Sequence, residues 1–168
     1  MKSANSSVFK ESNKDIVLEN MGKHTIQLIW FLNNDERLAK YMGLDNLVKV
    51  TEKEFLEKNE KWVTEKHTDM FAIVLGEKAI GMISLSHQDE VNRTAQIGYW
   101  MGSAYWNKGY GSKAFKLILD HAKEREFKYV SSTMRKGDIA TKKLWDKCGV
   151  QTEFKNGNYV CTINISGV

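Results

Sequence analysis

Apolar and polar positions along the chain fall into runs that divide it into elements. Residues 15–20 (DIVLEN) alternate around a β-branched pair and predict a strand. Residues 23–34 space Ile26, Ile29, Trp30 and Leu32 as a helix does, and DERLAKYMG continues as a second short helix ending at Gly43. Residues 51–67 open with Thr51 and carry Glu54 three positions later, the signature of a capping box. Phe55, Leu56, Trp62 and Val63 recur there with a seven-residue step and predict one apolar stripe on a charged helix. The character then changes. MFAIVLG, KAIGMISLSH and RTAQIGYWMG are three β-rich runs separated by short turns at Gly76-Glu77 and at residues 89–92, an antiparallel meander.

Past the meander, residues 112–125 put Ala114, Phe115, Ile118, Leu119 and Ala122 on one helical face. Residues 129–134 (YVSSTM) read as a strand. Residues 138–149 read as a helix with Asp138 as N-cap and Gly149 as C-cap. VQTEF and YVCTINI form a hairpin turning at Asn156-Gly157. Strand–helix–strand around residues 106–115 predicts a right-handed crossover between parallel strands. The fold class is therefore α/β (α+β): a mixed, mostly antiparallel sheet of six to seven strands flanked by helices.

At 168 residues the chain is expected to be a single domain, with residues 1–7 as a loose N-terminal tip. A net charge of +4 tolerates an anionic ligand without demanding nucleic acid. The two cysteines, Cys148 and Cys161, and the four scattered histidines have no metal-ligand spacing, so no metal site is expected. No apolar run approaches the ~18 residues of a membrane helix and the N-terminus is not a signal peptide, which points to a cytoplasmic protein with no membrane partner.

The stretch WNKGYGSKAF, residues 106–115, carries the chemistry. Glycines at 109 and 111 let a ligand approach the backbone, and the helix behind them directs unpaired N–H groups at the loop. A plain strand-to-helix turn would use the same residues. A Walker loop is excluded, because no Gly-Lys is followed by Ser or Thr. GYGSKA matches the letters of the dinucleotide pattern, but seven residues lie between Met101 and Gly109. The position ~20 residues on, where an acid should meet the ribose, falls in YVSSTM, which has no Asp or Glu.

The loop resembles the acyl-CoA loop of the GNAT acetyltransferase superfamily, Arg/Gln-x-x-Gly-x-Gly/Ala opening a helix after a meander strand. Trp106 stands where most members have Arg or Gln. That exchange, with IGYWM at 97–101 and YWNKGYG at 105–111, resembles the branch of ribosomal-protein N-terminal (Rim-type) acetyltransferases. DIATKKLWDKCGV is similar to the family's Asn-x-x-Ser…Lys-x-Gly-Phe helix through Asp138, Thr141, Lys147 and Gly149.

The resemblance implies acetyl-CoA as donor and direct transfer of acetyl to a primary amine, by a monomer or homodimer. The loop from Trp106 through Asn107, Lys108, Gly109, Tyr110 and Gly111 to Ser112 would hold the pyrophosphate. Tyr99, Trp100 and Met101 would pair with the pantetheine arm along a free strand edge, and a backbone N–H near Met101 would meet the thioester oxygen. Asp138 and Thr141 would border the pantetheine end. Arg135, Lys136, Lys142 and Lys143 form a cationic cluster that could meet the ribose phosphate or simply face solvent.

The residues expected to move protons are missing. The slot of the usual strand Glu holds Gln96, and that of the usual helix Tyr holds Trp145. Thr141 could serve the thiolate while water serves the amine; His87, Asp89 or Glu90 could be the base. Alternatively, the chain binds acyl-CoA as a regulatory module without catalysis. Trp30, Tyr41, His87 and Gln96 are candidate acceptor contacts, the two early helices and the final hairpin candidate walls. The acceptor itself, a protein N-terminus or a small amine, is left open.

Overall fold

The computed structural model describes residues 15–135, 139–146 and 152–166. The expected N-terminal tip, Lys136, Asp138, Lys147, Cys148 and Gly149 lie outside them. The runs of β-branched and aromatic residues form seven strands: β1 Ile16–Glu19, β2 Asp69–Leu75, β3 Lys78–Asp89, β4 Thr94–Met101, β5 Tyr129–Arg135, β6 Thr152–Lys155 and β7 Asn158–Asn164. They make one sheet in the order β1-β2-β3-β4-β5-β7-β6. Every neighbouring pair is antiparallel except β4–β5, the parallel pair joined across a helix. At the β6–β7 turn Asn156 and Gly157 both take positive φ, 51° and 81°, as the Asn-Gly dipeptide predicts.

Among the described residues five α-helices flank the sheet: α1 Thr25–Asn34, α2 Glu36–Tyr41, α3 Glu52–Glu65, α4 Tyr110–Glu124 and α5 Ile139–Asp146. One sheet face packs on α4, where Ile73, Ile83, Leu85, Ile97 and Val130 meet Phe115 and Ile118. Ala114, Phe115, Ile118 and Ala122 of the expected α4 face are buried; Leu119, at the stripe's margin, is only partly so. The opposite face packs Ala72, Val74, Ala79 and Met82 against Leu28 of α1 and Phe55 of α3. Each Val, Leu, Ile, Phe or Met among them contributes about 1.5–3 kcal/mol by leaving water. The α3 stripe is narrower than its sequence predicts. Phe55 is buried and Trp62 half-buried, but Leu56 and Val63 are exposed, because one step of 100° carries them off the sheet-facing row.

Local chemistry fixes the helix ends. Thr51 Oγ1 accepts from Glu54 N at 3.2 Å and Glu54 Oε2 accepts from Thr51 N at 3.0 Å, so the capping box is complete. The C-terminal end of α4 is tied to β2: Asp69 Oδ2 meets His121 Nε2 at 2.8 Å and Arg125 at 2.6 Å. That pair of contacts sets where the other end of the helix lies.

Asp35 caps α2 by accepting from Leu38 N at 3.1 Å, and it also accepts from Ser103 N and Ser103 Oγ, both at 2.7 Å. One carboxylate thereby joins the α1–α2 corner to the chain leaving β4. Burial pushes the Asp35 carboxyl up, but the Ser103 and Leu38 hydrogen bonds outweigh it and hold the group below its ordinary value. A lowered carboxyl stabilises the fold above its unfolded pKa of ~3.9 and loses that contribution as pH falls through the folded value. Asp35→Ala is expected to cost about 2 kcal/mol at pH 7 through the lost cap and charged hydrogen bonds. The gap from the parent should be narrower at about pH 3, below the unfolded pKa, than at pH 7. Denaturant titrations at both pH values check this; a gap independent of pH would assign the loss to packing instead.

Candidate active site

The site begins where two parallel strands part. β4 and β5 pair only at Thr94↔Tyr129, Ala95↔Val130 and Gln96↔Ser131. β4 then continues to Met101, bonded to β3 alone, while β5 continues to Arg135 along β7. Residues 97–101 therefore present an edge with no strand partner on the β5 side, the splay expected around Tyr99, Trp100 and Met101.

The glycine loop closes one end of this opening. Asn107 and Gly109 sit at positive φ, 61° and 83°, and Gly109 is the N-cap of α4. The first main-chain bond of the helix runs from Lys113 N to Gly109 O at 3.3 Å, so the N–H groups of Tyr110, Gly111 and Ser112 precede the helical ladder. No side chain caps this end and its first turn holds no acid. Asn107, Lys108 and Gly109 are exposed.

The two glycines differ in what they do. Gly109 is needed by its own backbone, because a left-handed φ disfavours a side chain. Gly111 is helical, and a Cβ there would make only ordinary contact with the Tyr99 ring, 3.8 Å away. The fold does not require glycine at 111.

Trp106 holds the loop in place. Its Nε1 donates to Met101 O at 2.8 Å, the Arg37 guanidinium lies 5.1 Å over its ring, and the Tyr41 ring is 5.6 Å away. Its side chain is engaged by protein on these sides, a positioning role that the loop motif alone does not reveal.

Helix α5 begins at Ile139, with Thr141 in its first turn. Lys142 is paired with Asp146 at 3.2 Å, and Lys143 is exposed. Trp145 is 1% exposed, with its ring 5.0 Å from Phe115. The residue in the usual acid slot is a core side chain.

A cavity of about 530 Å³ opens on the α1/α3 face of the sheet. Leu32, Leu38, Ala39 and Met42 of the α1–α2 corner wall it, with Leu44, Val48 and Val50 from the segment that follows. Helix α3 adds Glu54, Phe55, Lys58, Asn59 and Trp62. Met70, Met82, Ser84, Gly98 and Trp100 form the floor. Gly98–Trp100 thus belong both to the cavity and to the part of β4 that has left β5.

None of the four expected acceptor contacts lines this cavity. Trp30 is 54% exposed, because α1 turns Leu28 and Phe31 to the core and the intervening step carries Trp30 outward. Tyr41 lies on Trp106. Gln96 shares a β4 face with Gly98 and Trp100 but is exposed beyond the cavity. His87 sits at a β-bulge with φ 50°, its Nδ1 2.9 Å from Ser86 Oγ and its ring 5.6 Å from the outer side of Trp62. Asp89 holds its own turn through Val91 N and Asn92 N, at 3.1 and 3.0 Å, and Glu90 lies 3.5 Å from Arg125. Of the expected walls, α1 and α2 line this cavity and no described residue of the β6–β7 hairpin does; α3 and residues 44–50 line it as well. Phe55 and Trp62, at the seven-residue step, were the signal for α3. Among the described residues no cluster of three or more His, Cys, Asp or Glu is placed to hold a metal, and no helix is long and apolar enough to cross a membrane.

A mixed sheet splayed at a parallel pair, with a glycine loop opening a helix at the splay, defines an acyltransferase architecture. Residues 16–151 match the acetyltransferase (GNAT) domain. The chain belongs to the GNAT acetyltransferase family. It is similar to the ribosomal-protein-serine acetyltransferase of Escherichia coli K12, 33% identical over 55 residues that cover 33% of this chain and 31% of that protein. It is also similar to the uncharacterized N-acetyltransferase p20 of Bacillus licheniformis, 26% identical over 52% of this chain and 51% of that protein. These alignments span about a third to a half of the relatives' length. Its fold matches that of RimL, a ribosomal L7/L12 α-N-protein acetyltransferase solved with coenzyme A, with a TM-score of 0.76 at 16% identity over 92% of this chain and 96% of that one.

Proposed function

We propose that this protein is an acetyl-CoA-dependent N-acetyltransferase, which passes acetyl to a primary amine by direct attack within a ternary complex. The observation that carries this reading is the parting of β4 from β5 after Gln96, between the glycine loop and the cavity. Bound acetyl-CoA supplies an activated thioester. The residues present fit such a donor. The N–H groups of Tyr110, Gly111 and Ser112, with Lys108, face a diphosphate with no acid in the first turn of α4. The bare Gly111 leaves that approach open. Tyr99, Trp100 and the Met101 N–H meet the pantetheine arm in this reading, Met101 O being taken by Trp106 Nε1, and a backbone N–H near Met101 serves the oxygen where negative charge develops. Thr141 and Lys143, on α5, are assigned to the border of the donor site by the family resemblance, as is Asp138, which lies outside the described residues.

The acceptor nitrogen must be neutral to attack. An α-amino group with a pKa of ~7.7–8.0 is neutral about one time in ten at pH 7, a lysine amine at ~10.4 only about one time in a few thousand. A site without a strong base suits the former. Holding both reactants at the β4 edge supplies much of the remaining acceleration, and Thr141, in the slot that the Rim-type resemblance assigns to the acid, returns a proton to the thiolate. Thr141→Val is expected to lower kcat at least tenfold with KM for acetyl-CoA unchanged; full activity in a steady-state assay would remove Thr141 from the mechanism.

Gln96 in the base slot and the buried Trp145 favour a second reading, an acyl-CoA-responsive module without turnover. Release of free thiol from acetyl-CoA over a panel of amines separates the two. Turnover with any amine supports the enzyme, and calorimetric binding of acetyl-CoA without turnover supports the module.

A further inference from the structure

We infer that the acceptor is a primary amine carried on an apolar body, aryl or branched alkyl, that fills the cavity between the sheet and α3. The inference rests on the acetyltransferase reading and deepens it. About 530 Å³ is ample for a small ligand. Its walls are set by Leu38, Met42, Val48, Phe55, Trp62 and Met82, none of which bears a charge. An apolar body gains there by leaving water, about fourfold in affinity for each buried methylene.

The charges at the cavity exclude the commoner polar acceptors. Only Glu54 and Lys58 among its lining residues are charged, one of each sign, and Glu54 Oε2 already accepts from Thr51 N at 3.0 Å. A polyamine would leave its second ammonium against apolar walls with no acidic cluster to receive it, a costly placement. An acidic acceptor would meet Lys58 alone. Asn59 adds a single unmet polar group: its Nδ2 is buried without a hydrogen-bond partner among the described residues. The body therefore carries at most one or two polar atoms.

The cavity also reaches the reacting edge. Gly98 lines it, and a Cβ at 98 would meet only Ser84 Oγ, at 3.5 Å, so the fold itself tolerates a side chain there. The bare position leaves the path from the cavity to the β4 edge open. An amine whose body lies on Phe55 and Trp62 can present its nitrogen at Gly98–Trp100. In the transfer the neutral nitrogen bonds to the acetyl carbon, and the carbon–sulfur bond breaks with its electron pair on sulfur. One amine proton ends on that sulfur, giving amide and free thiol.

The test is thiol release from acetyl-CoA by the full chain with 2-phenylethylamine, n-alkylamines from propyl to hexyl, ethanolamine, spermidine, and tripeptides beginning with Phe or Ser. Expected are a rise in kcat/KM of about fourfold per methylene, and a preference of about a hundredfold or more for phenylethylamine or the Phe peptide over ethanolamine, spermidine and the Ser peptide. The free amine and the Phe peptide distinguish a small-molecule source from a protein N-terminus. The double variant Leu44→Asp, Val48→Asp changes two lining residues that are 39% and 42% exposed, so the fold should survive. It is expected to raise KM for phenylethylamine about tenfold or more with acetyl-CoA affinity unchanged. A flat alkyl series, or spermidine or the Ser peptide at least equal to phenylethylamine, overturns the inference while leaving the enzyme reading intact. If no amine turns over, phenylethylamine is titrated against the fluorescence of Trp62 and Trp100. Saturable quenching that the double variant loses supports the apolar acceptor; no quenching overturns it. Calorimetry with acetyl-CoA reports separately on the donor reading.

Discussion

Gly111→Asp is expected to weaken acetyl-CoA binding at least a hundredfold while leaving the thermal midpoint unchanged or raised by a few degrees. The two effects have opposite signs because they arise from one charge. Position 111 lies in the first turn of α4, where no acid and no side-chain cap now meets the positive end of the helix. A carboxylate there favours the helix by about 0.3–1 kcal/mol. The same carboxylate faces the diphosphate proposed to lie on those N–H groups, and like charges about 4 Å apart near a surface oppose each other by about 4 kcal/mol. Steric cost is small, since the new Cβ meets only the Tyr99 ring at 3.8 Å. Gly109→Asp is a poorer probe. A Cβ there meets nothing within 4 Å, but φ of 83° strains any side chain by about 1 kcal/mol, so lost binding would be confounded with lost stability. Calorimetry and a melting curve on Gly111→Asp decide the matter. Wild-type affinity in a folded variant would show that the loop does not hold the donor.

Trp145→Ala is expected to cost about 3–5 kcal/mol in denaturant unfolding, a large part of the 5–15 kcal/mol typical of a domain. The indole is 1% exposed and edge-on to Phe115 at 5.0 Å, so truncation leaves a cavity between α4 and α5. Trp145→Phe should restore most of that stability and keep kcat/KM within about twofold from pH 7 to 9, because a core indole moves no proton. A large fall in kcat with stability retained would instead place Trp145 in the chemistry and revive the acid slot.

Much of the fold was legible because its causes are local. The Thr51–Glu54 capping box and the Asn156-Gly157 turn involve residues within a few positions of each other, and both formed as read. The alternation in IGYWM places Ile97 and Met101 toward α4 and Gly98 and Trp100 toward the opposite face. What was missed depends on partners distant in sequence. Asp35 reads as the start of a short helix, yet it also holds Ser103, 68 residues on. Trp106 reads as part of a cofactor loop, yet its indole is hydrogen-bonded to Met101 O and flanked by Arg37 and Tyr41. Trp30 and Leu56 are apolar at plausible helical positions, and only the rotation of α1 and α3 against the sheet turns them outward.

By itself the sequence determined the elements and their order, the loop with its left-handed Gly109, and the family to which these belong, since periodicity, caps and turn chemistry act over a few residues. Only the tertiary structure decided where β4 leaves β5, that Gly111 is bare without the fold's needing it, and which side chains wall the cavity. Strand register and helix rotation are set by packing between segments far apart in the chain, and local pattern does not carry that information.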